Sequence, residues 1–322
     1  MRMASKQTVA RTLAFALIAV GALWTAAPAL AKPATKVFLN GTPSPVFFND
    51  GDSFTVLGGP YAGTKARLAG FNTLESYGGV HSWGDWAAHE LYANAKMGTL
   101  NARRGVWHCT SDLNRDGYGR ILWDCPDLRL SSVRQGFAHA MTVSPDPSDP
   151  ELLAAQHAAQ RERRAMWAHA VPDFIVTSTH SASEPYFGGR PYNRLVSTKD
   201  GHSEKWRHGD FYSECQRVCH VDRVFDAARL KAVAQRLRDD PELHAMLVLY
   251  SDAYLLNVVG EYARCDEMAY MKDKDHVEPV KAKLEALAKE GALGSYQEAP
   301  GSCMVFVDFM RRYGQRSAAC LH

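Results

Sequence analysis

Past residue 31 the chain has no apolar run long enough to cross a bilayer, which takes roughly 20 residues in a helix. It has no strong excess of either charge, with 37 Lys and Arg against 35 Asp and Glu. A balanced chain has no global field to draw a polyanion, so a nucleic-acid role has to rest on a local basic patch. No internal repeat is present, which sets aside solenoid architectures. Cys215-x-x-x-Cys219-His220 has no convincing second ligand pair, which argues against a zinc site.

What is present begins with a basic start (Arg2, Lys6, Arg11), an apolar run from Thr12 to Thr25, and Ala29-Leu30-Ala31 before Lys32. This pattern predicts a secretory signal peptide over residues 1–31, the alternative being an uncut N-terminal anchor. No cysteine lies near the cut, so no lipid anchor is expected there. Losing those three cations takes 37 basic residues to 34, against 35 acids, so the mature chain is near neutral. Export, to a periplasm or outside the cell, places all seven cysteines in an oxidising compartment, where disulfides persist. Seven is odd, so one thiol is free or pairs between molecules.

The remaining 291 residues, 322 less 31, suggest two domains. Residues 40–170 read as short strands with helices. Phe54–Leu57 and Lys65–Phe71 flank a Gly-Gly-Pro turn, a hairpin signature. Asp85–Lys96 carries Ala87, Ala88, Leu91 and Ala95 on one helical face. GVWHC and RILWDC flank the turn NRDGYG as a second hairpin. Cys109 and Cys125 lie near the outer ends of its strands, as a disulfide or as two free thiols. Ser131–Met141 reads as a short helix stopped at Gly136, and Pro150 or Glu151 opens a helix to about Ala168. Residues 171–209 lack periodicity and read as a linker or irregular segment. Residues 210–322 read as an α-helical domain, with three-four apolar spacing over Arg223–Arg238, Pro241–Met271, Val277–Glu290 and Cys303–Tyr313. Cys215, Cys219, Cys265, Cys303 and Cys320 are expected to staple its helices, in a connectivity the spacing does not specify.

An ordered set of polar residues carries the chemistry. Asp50-Gly51-Asp52-Ser53 precedes a strand containing Arg67. Asn72-Thr73-Leu74-Glu75 closes that strand, and Asp116-Gly117-Tyr118-Gly119-Arg120 follows. Phosphodiester hydrolysis piles negative charge on phosphorus, so it needs fixed cations and a positioned water. Arginine forks match phosphate oxygens, and clustered Asp and Glu oxygens suit a hard cation.

This set, together with Val133-Arg134-Gln135-Gly136, resembles the staphylococcal nuclease (thermonuclease) family over about residues 46–167. The resemblance implies an α+β fold: a five-stranded Greek-key OB barrel with packed helices, here followed by the helical domain. It implies an exported, metal-dependent nuclease acting on DNA, RNA or both, with no membrane insertion once the signal is cleaved. By the same resemblance Arg67, Glu75 and Arg120 are catalytic, and Asp52, Asn72 and the Thr73 carbonyl hold a metal. Asp50 and Tyr118 support or contact substrate. Ca²⁺ is the expected ion, with Mg²⁺ or Mn²⁺ as alternatives. The chain departs from the pattern at Asn72, where the family has aspartate. Losing one ligand charge is expected to weaken or alter metal binding, and Asn72→Asp to strengthen it. Leu74 replaces a proline and is expected to loosen the Glu75 loop. The family's nucleotide-stacking tyrosines fall at about Thr142 and Ser144, leaving Trp83, Trp86 or Tyr77 as candidates for that task. Two other readings stand beside the nuclease: an OB-fold nucleic-acid binder that does not cut, and an envelope interaction protein working through its helical domain.

Overall fold

The computed structural model describes residues 35–76, 79–184, 191–265, 271–308 and 320. The expected signal peptide and Tyr77 lie outside them. The chain opens with β1 (Thr35–Leu39) and β2 (Thr42–Phe48), joined by Asn40-Gly41. Both turn residues have positive φ, 45° and 80°, as a two-residue hairpin turn of this twist requires. β3 (Ser53–Val56) and β4 (Lys65–Leu68) continue the antiparallel meander, so the first expected hairpin is present. β5 (Phe71–Thr73), β6 (His81–Ser82) and α1 (Ala88–Arg104) follow. α1 starts later and runs further than its apolar spacing suggested. Glu90 anchors its start by accepting a 3.0 Å bond from the Ala87 N–H.

β7 (Trp107–Cys109) lies parallel to β1, and β8 (Ile121–Trp123) parallel to β4. The sheet order is β7-β1-β2-β3-β4-β8, six strands where five were expected. The free edges of β7 and β8 then meet. Thr110 and Asp124 exchange two 2.9 Å backbone bonds, and a Cys109–Cys125 disulfide sits beside them. The sheet is thereby almost closed on itself, around Val37, Val46, Phe48, Phe54, Leu68 and Trp123.

α2 (Pro126–Arg134) starts five residues earlier than expected. It stops before Gly136, whose φ is +73°, and β9 (Ala138–Ala140) pairs antiparallel with β5. α3 (Pro150–Arg161) is capped by Asp149, which accepts from the Glu151 and Leu152 amides at 2.9 and 3.1 Å. A single 3₁₀ turn at Ala165–Trp167 replaces the last part of the expected helix.

The segment 171–209 is not irregular. β10 (Phe174–Ser178), β11 (Tyr192–Ser197) and β12 (Ser203–Arg207) form an antiparallel sheet. The later residues are not all helical either. β13 (Arg217–Phe225) precedes α4 (Ala227–Arg238), α5 (His244–Leu247), α6 (Asp252–Cys265) and α7 (Val277–Lys289), and β14 (Tyr296–Val305) follows. The helices bury one face around Leu237, Tyr254, Val258, Val280 and Leu284. The expected helix from Cys303 begins instead as strand, with its residues from 309 outside the described set. β14 is the middle strand of β13-β14-β6, so the end of the chain pairs with a strand from its first third. Cys219–Cys303 bridges β13 to β14, and Cys215 pairs with Cys320. Cys219 and Cys303 therefore hold two strands together rather than helices. Three disulfides are consistent with an oxidising compartment. Among the described residues no helix is long and apolar enough to cross a membrane.

Candidate active site

The β3–β4 pairing sets Ser53 opposite Arg67 and puts Asp52 at the end of β3. The Asp50-Gly51-Asp52 turn is held by Asp50, whose Oδ1 accepts from the Ser53 hydroxyl at 2.6 Å and the Asp52 amide at 3.3 Å. Gly51 is required by its neighbours. A Cβ there would meet Thr73 Cγ2 at 2.5 Å and the Gly98 backbone at 3.1 Å. That close approach lets α1 pack against the turn.

Across this turn comes β5. Its Thr73 amide donates to Asp52 Oδ2 at 2.7 Å and its hydroxyl at 3.1 Å. The Arg67 guanidinium forms an ion pair with Asp52 Oδ1 and donates from Nη2 to Asn72 Oδ1 at 2.7 Å. The Asn72 amide in turn donates to the Thr73 carbonyl at 2.9 Å. Asp52, Asn72 and Thr73 are buried, whereas the Arg67 side chain keeps 16% exposure and carries the cluster's charge toward solvent.

The carboxylates differ in state. Burial pushes the Asp50 carboxyl well above the usual range, and the charges of Asp52 and Glu75 push it the same way, outweighing Ser53 and Arg67. Burial acts upward on Asp52 too. There the Arg67 charge and the Thr73 amide win, and its carboxyl is held below the usual value. Asp52 is thus the more readily ionised of the two, and Glu75 lies near enough to be felt by Asp50.

Glu75 sits on the segment between β5 and β6, and its amide meets His81 Nε2 at 3.3 Å. Leu74 does not loosen this segment. It is buried against Trp83, Leu91 and Trp167 and pins the loop. Lys96 of α1 adds a 2.6 Å bond to the Ser76 carbonyl. The pairing of β6 with β14 fixes the far end. Two histidines the sequence reading missed line this region. His139 lies opposite Asn72 in the β5–β9 register, and His81 follows the loop. Burial lowers His139 to about 4, and burial with the neighbouring His139 lowers His81 to about 3. Both are neutral at ordinary pH.

Arg120 immediately precedes β8, whose Leu122 is opposite Arg67 in the β4–β8 register. Asp116 holds the Arg120 guanidinium, its Oδ2 accepting from Nε and Nη2, both at 2.7 Å. Tyr118 is 48% exposed and lies under the Arg120 guanidinium, 5.4 Å from its carbon. The proposed stacking aromatics fare differently. Trp83 is buried and bonds the Ala170 carbonyl, so it is core, and Trp86 is packed with its indole N–H on the Met166 carbonyl.

OB barrels, which this almost closed sheet resembles, include binders of oligonucleotides and oligosaccharides. Residues 65–169 match the family model described as staphylococcal nuclease homologue. This segment is therefore similar to staphylococcal nuclease homologues, a likeness that implies the OB fold and suggests a nuclease; residues before 65 and after 169 lie outside the match. No curated protein matches the chain. Asp50 and Asp52 precede the matched segment and join it through the β3–β4 pairing.

The metal implied by that family can be tested against the donors. Asp52 Oδ1 is taken by Arg67, and its Oδ2 by two Thr73 donors. Asn72 Oδ1 is taken by Arg67, and the Thr73 carbonyl by the Asn72 amide. Among the described residues no three His, Cys, Asp or Glu side chains gather as a metal-holding group. The donors expected to hold the cation thus bond one another, and with Asn72 in place Asp52 is the single anion among them, a charge count poorly matched to a resident divalent ion.

Proposed function

We propose that the chain is an exported nuclease that hydrolyses phosphodiester bonds of DNA, RNA or both. The observation that supports this most is the Arg67 cluster, with the Glu75 loop anchored at the end of β5. Arg67 and Arg120 offer forked donors to the oxygens of the pentacoordinate phosphorus, where charge builds in the transition state. Glu75 takes a proton from the attacking water as its oxygen bonds to phosphorus. The phosphorus–oxygen bond to the leaving nucleoside breaks, and that oxygen is protonated as it departs. Family chemistry, carried over, has the 5′-oxygen leave and a 3′-phosphate remain. Asp52 keeps Arg67 in place, and Tyr118 lies where its hydroxyl can meet a neighbouring phosphate. The reading routes no step through a metal ion.

The test incubates the mature protein with single- and double-stranded DNA and RNA, in EDTA and in Ca²⁺, Mg²⁺ or Mn²⁺. Cleavage is expected, and Glu75→Gln is expected to slow it about 100-fold or more while retaining binding. Binding without cleavage in every condition would replace this reading with that of a nucleic-acid binder. Neither binding nor cleavage would favour an interaction protein.

A further inference from the structure

Asn72 sits where the resemblance expects an anionic ligand, and His139 explains what it does there. The His139 Nδ1 lies 3.0 Å from the Ala140 carbonyl, which can only accept, so Nδ1 carries the proton of the neutral ring. Nε2 is then a bare acceptor, and it lies 3.4 Å from Asn72 Nδ2. The Asn72 amide has two N–H groups, and two acceptors surround it: the Thr73 carbonyl and His139 Nε2. Its oxygen is left facing Arg67, which also grips Asp52. The ring of bonds closes when Thr73 donates back to Asp52.

Every donor and acceptor of this ring comes from the chain, and its positive charge is Arg67. An aspartate at position 72 would turn a carboxylate oxygen toward two acceptors with nothing between them, an arrangement a divalent cation would relieve. Asparagine fills that gap with its own N–H groups, and His139 orients the amide so that they point there.

We propose that the Asn72–His139 pair replaces the divalent cation in this domain, so that the phosphate site assembles, and works, without metal. His139 is a positioning residue in this account. The claim about cleavage rests on the nuclease reading; the claim about metal binding does not.

The experiment titrates the full mature chain with Ca²⁺ by calorimetry and follows its melting temperature in Ca²⁺ and in EDTA. Wild type is expected to give no binding heat and the same melting temperature in both. Asn72→Asp is expected to melt lower in EDTA and to recover in millimolar Ca²⁺, the linkage signature of a ligand bound only by the folded state. His139→Gln, whose side-chain oxygen can accept from Asn72, is expected to keep metal-free behaviour. His139→Leu removes the acceptor and is expected to lower the protection of the Asn72 side-chain amide from hydrogen exchange. Micromolar Ca²⁺ binding by wild type would overturn the proposal, as would cleavage abolished by EDTA and restored by Ca²⁺. Should no cleavage occur in any condition, the nuclease reading falls and the calorimetry still decides this one. Should Asn72→Asp fail to fold, the wild-type titration stands alone as the deciding measurement.

Discussion

Arg67 is the residue on which the site turns, because one guanidinium holds two partners on two strands. Lysine keeps the charge but has no planar fork to span Asp52 and Asn72. Arg67→Lys is therefore expected to cut the cleavage rate by about 10²–10³-fold, the cost of removing one aimed transition-state donor. Steady-state kinetics should place the loss in kcat; a loss confined to KM would demote Arg67 to ground-state binding. The members of this cluster were legible because they lie in one short ordered run, Asp50 to Glu75, whose residue types suit phosphate chemistry. His139 was not legible. It sits 67 residues from Asn72 in sequence, inside an Ala-His-Ala strand, and only the β5–β9 register brings the two together.

At the scale of elements, the Glu75 loop is held from both sides. Leu74 and Lys96 tie it to the first half of the chain, and β14 ties it to the last. The approach of β14 is tight enough that a Cβ at Gly79 would collide with the Val305 carbonyl, and Val305 donates to the Val80 carbonyl at 2.8 Å. Cys219–Cys303, closing a separation of 84 residues, secures β14 against β13. Replacing both cysteines by serine is expected to cost about 2–5 kcal/mol of stability. It should also raise hydrogen exchange at the Val305 amide and lower kcat. Unchanged exchange at that amide would show that the loop does not depend on the staple. The strands behind this arrangement escaped the sequence reading for a physical reason. β11 and β12 bury Asn193, Ser197, Ser203 and Glu204, so the apolar alternation that announces a strand is interrupted by buried polar groups. The helices α4 and α7 bury only apolar residues at three-four spacing; α7 matches its expected span to within a residue, whereas α4 begins four residues later than expected because Arg223–Phe225 are the end of β13.

On the scale of the molecule, residues 34–322 hold together as one compact unit. Besides the β6–β14 pairing, three contacts that join its halves fall on the segment where the resemblance places the stacking tyrosines. Thr142 donates to the Gly201 carbonyl at 2.8 Å, Asn257 donates to the Pro145 carbonyl at 2.8 Å, and Lys272 pairs with Asp146 at 2.6 Å. A buried network binds β12 to α6. His202 lies between Asp200 and Glu204, Arg264 grips Glu204, Asn257 grips Asp200, and the edge of Phe174 meets the imidazole ring. Burial alone would lower His202, but the two carboxylates raise it to about 9 from 6.5. Its folded value is the higher one, so its contribution is complete below about 6.5 and is lost as pH rises through about 9. Glu204 is the reverse case. Arg264 and His202 outweigh burial and lower it to about 2, so its contribution is lost only in strong acid. Melting temperature is therefore expected to fall between pH 6.5 and 9 by an amount corresponding to about 2 kcal/mol. His202→Gln should flatten that limb, and a wild-type profile already flat over the range would remove the network from the account.

The placing of β14 has a consequence in time. A ribosome delivers β6 and the Glu75 loop long before it delivers the strand they pair with, and the Cys219–Cys303 bond needs an oxidant as well. Until both arrive, the Glu75 loop is held only by Leu74 and Lys96, so an incomplete or reduced chain has the first of its two anchorages without the second.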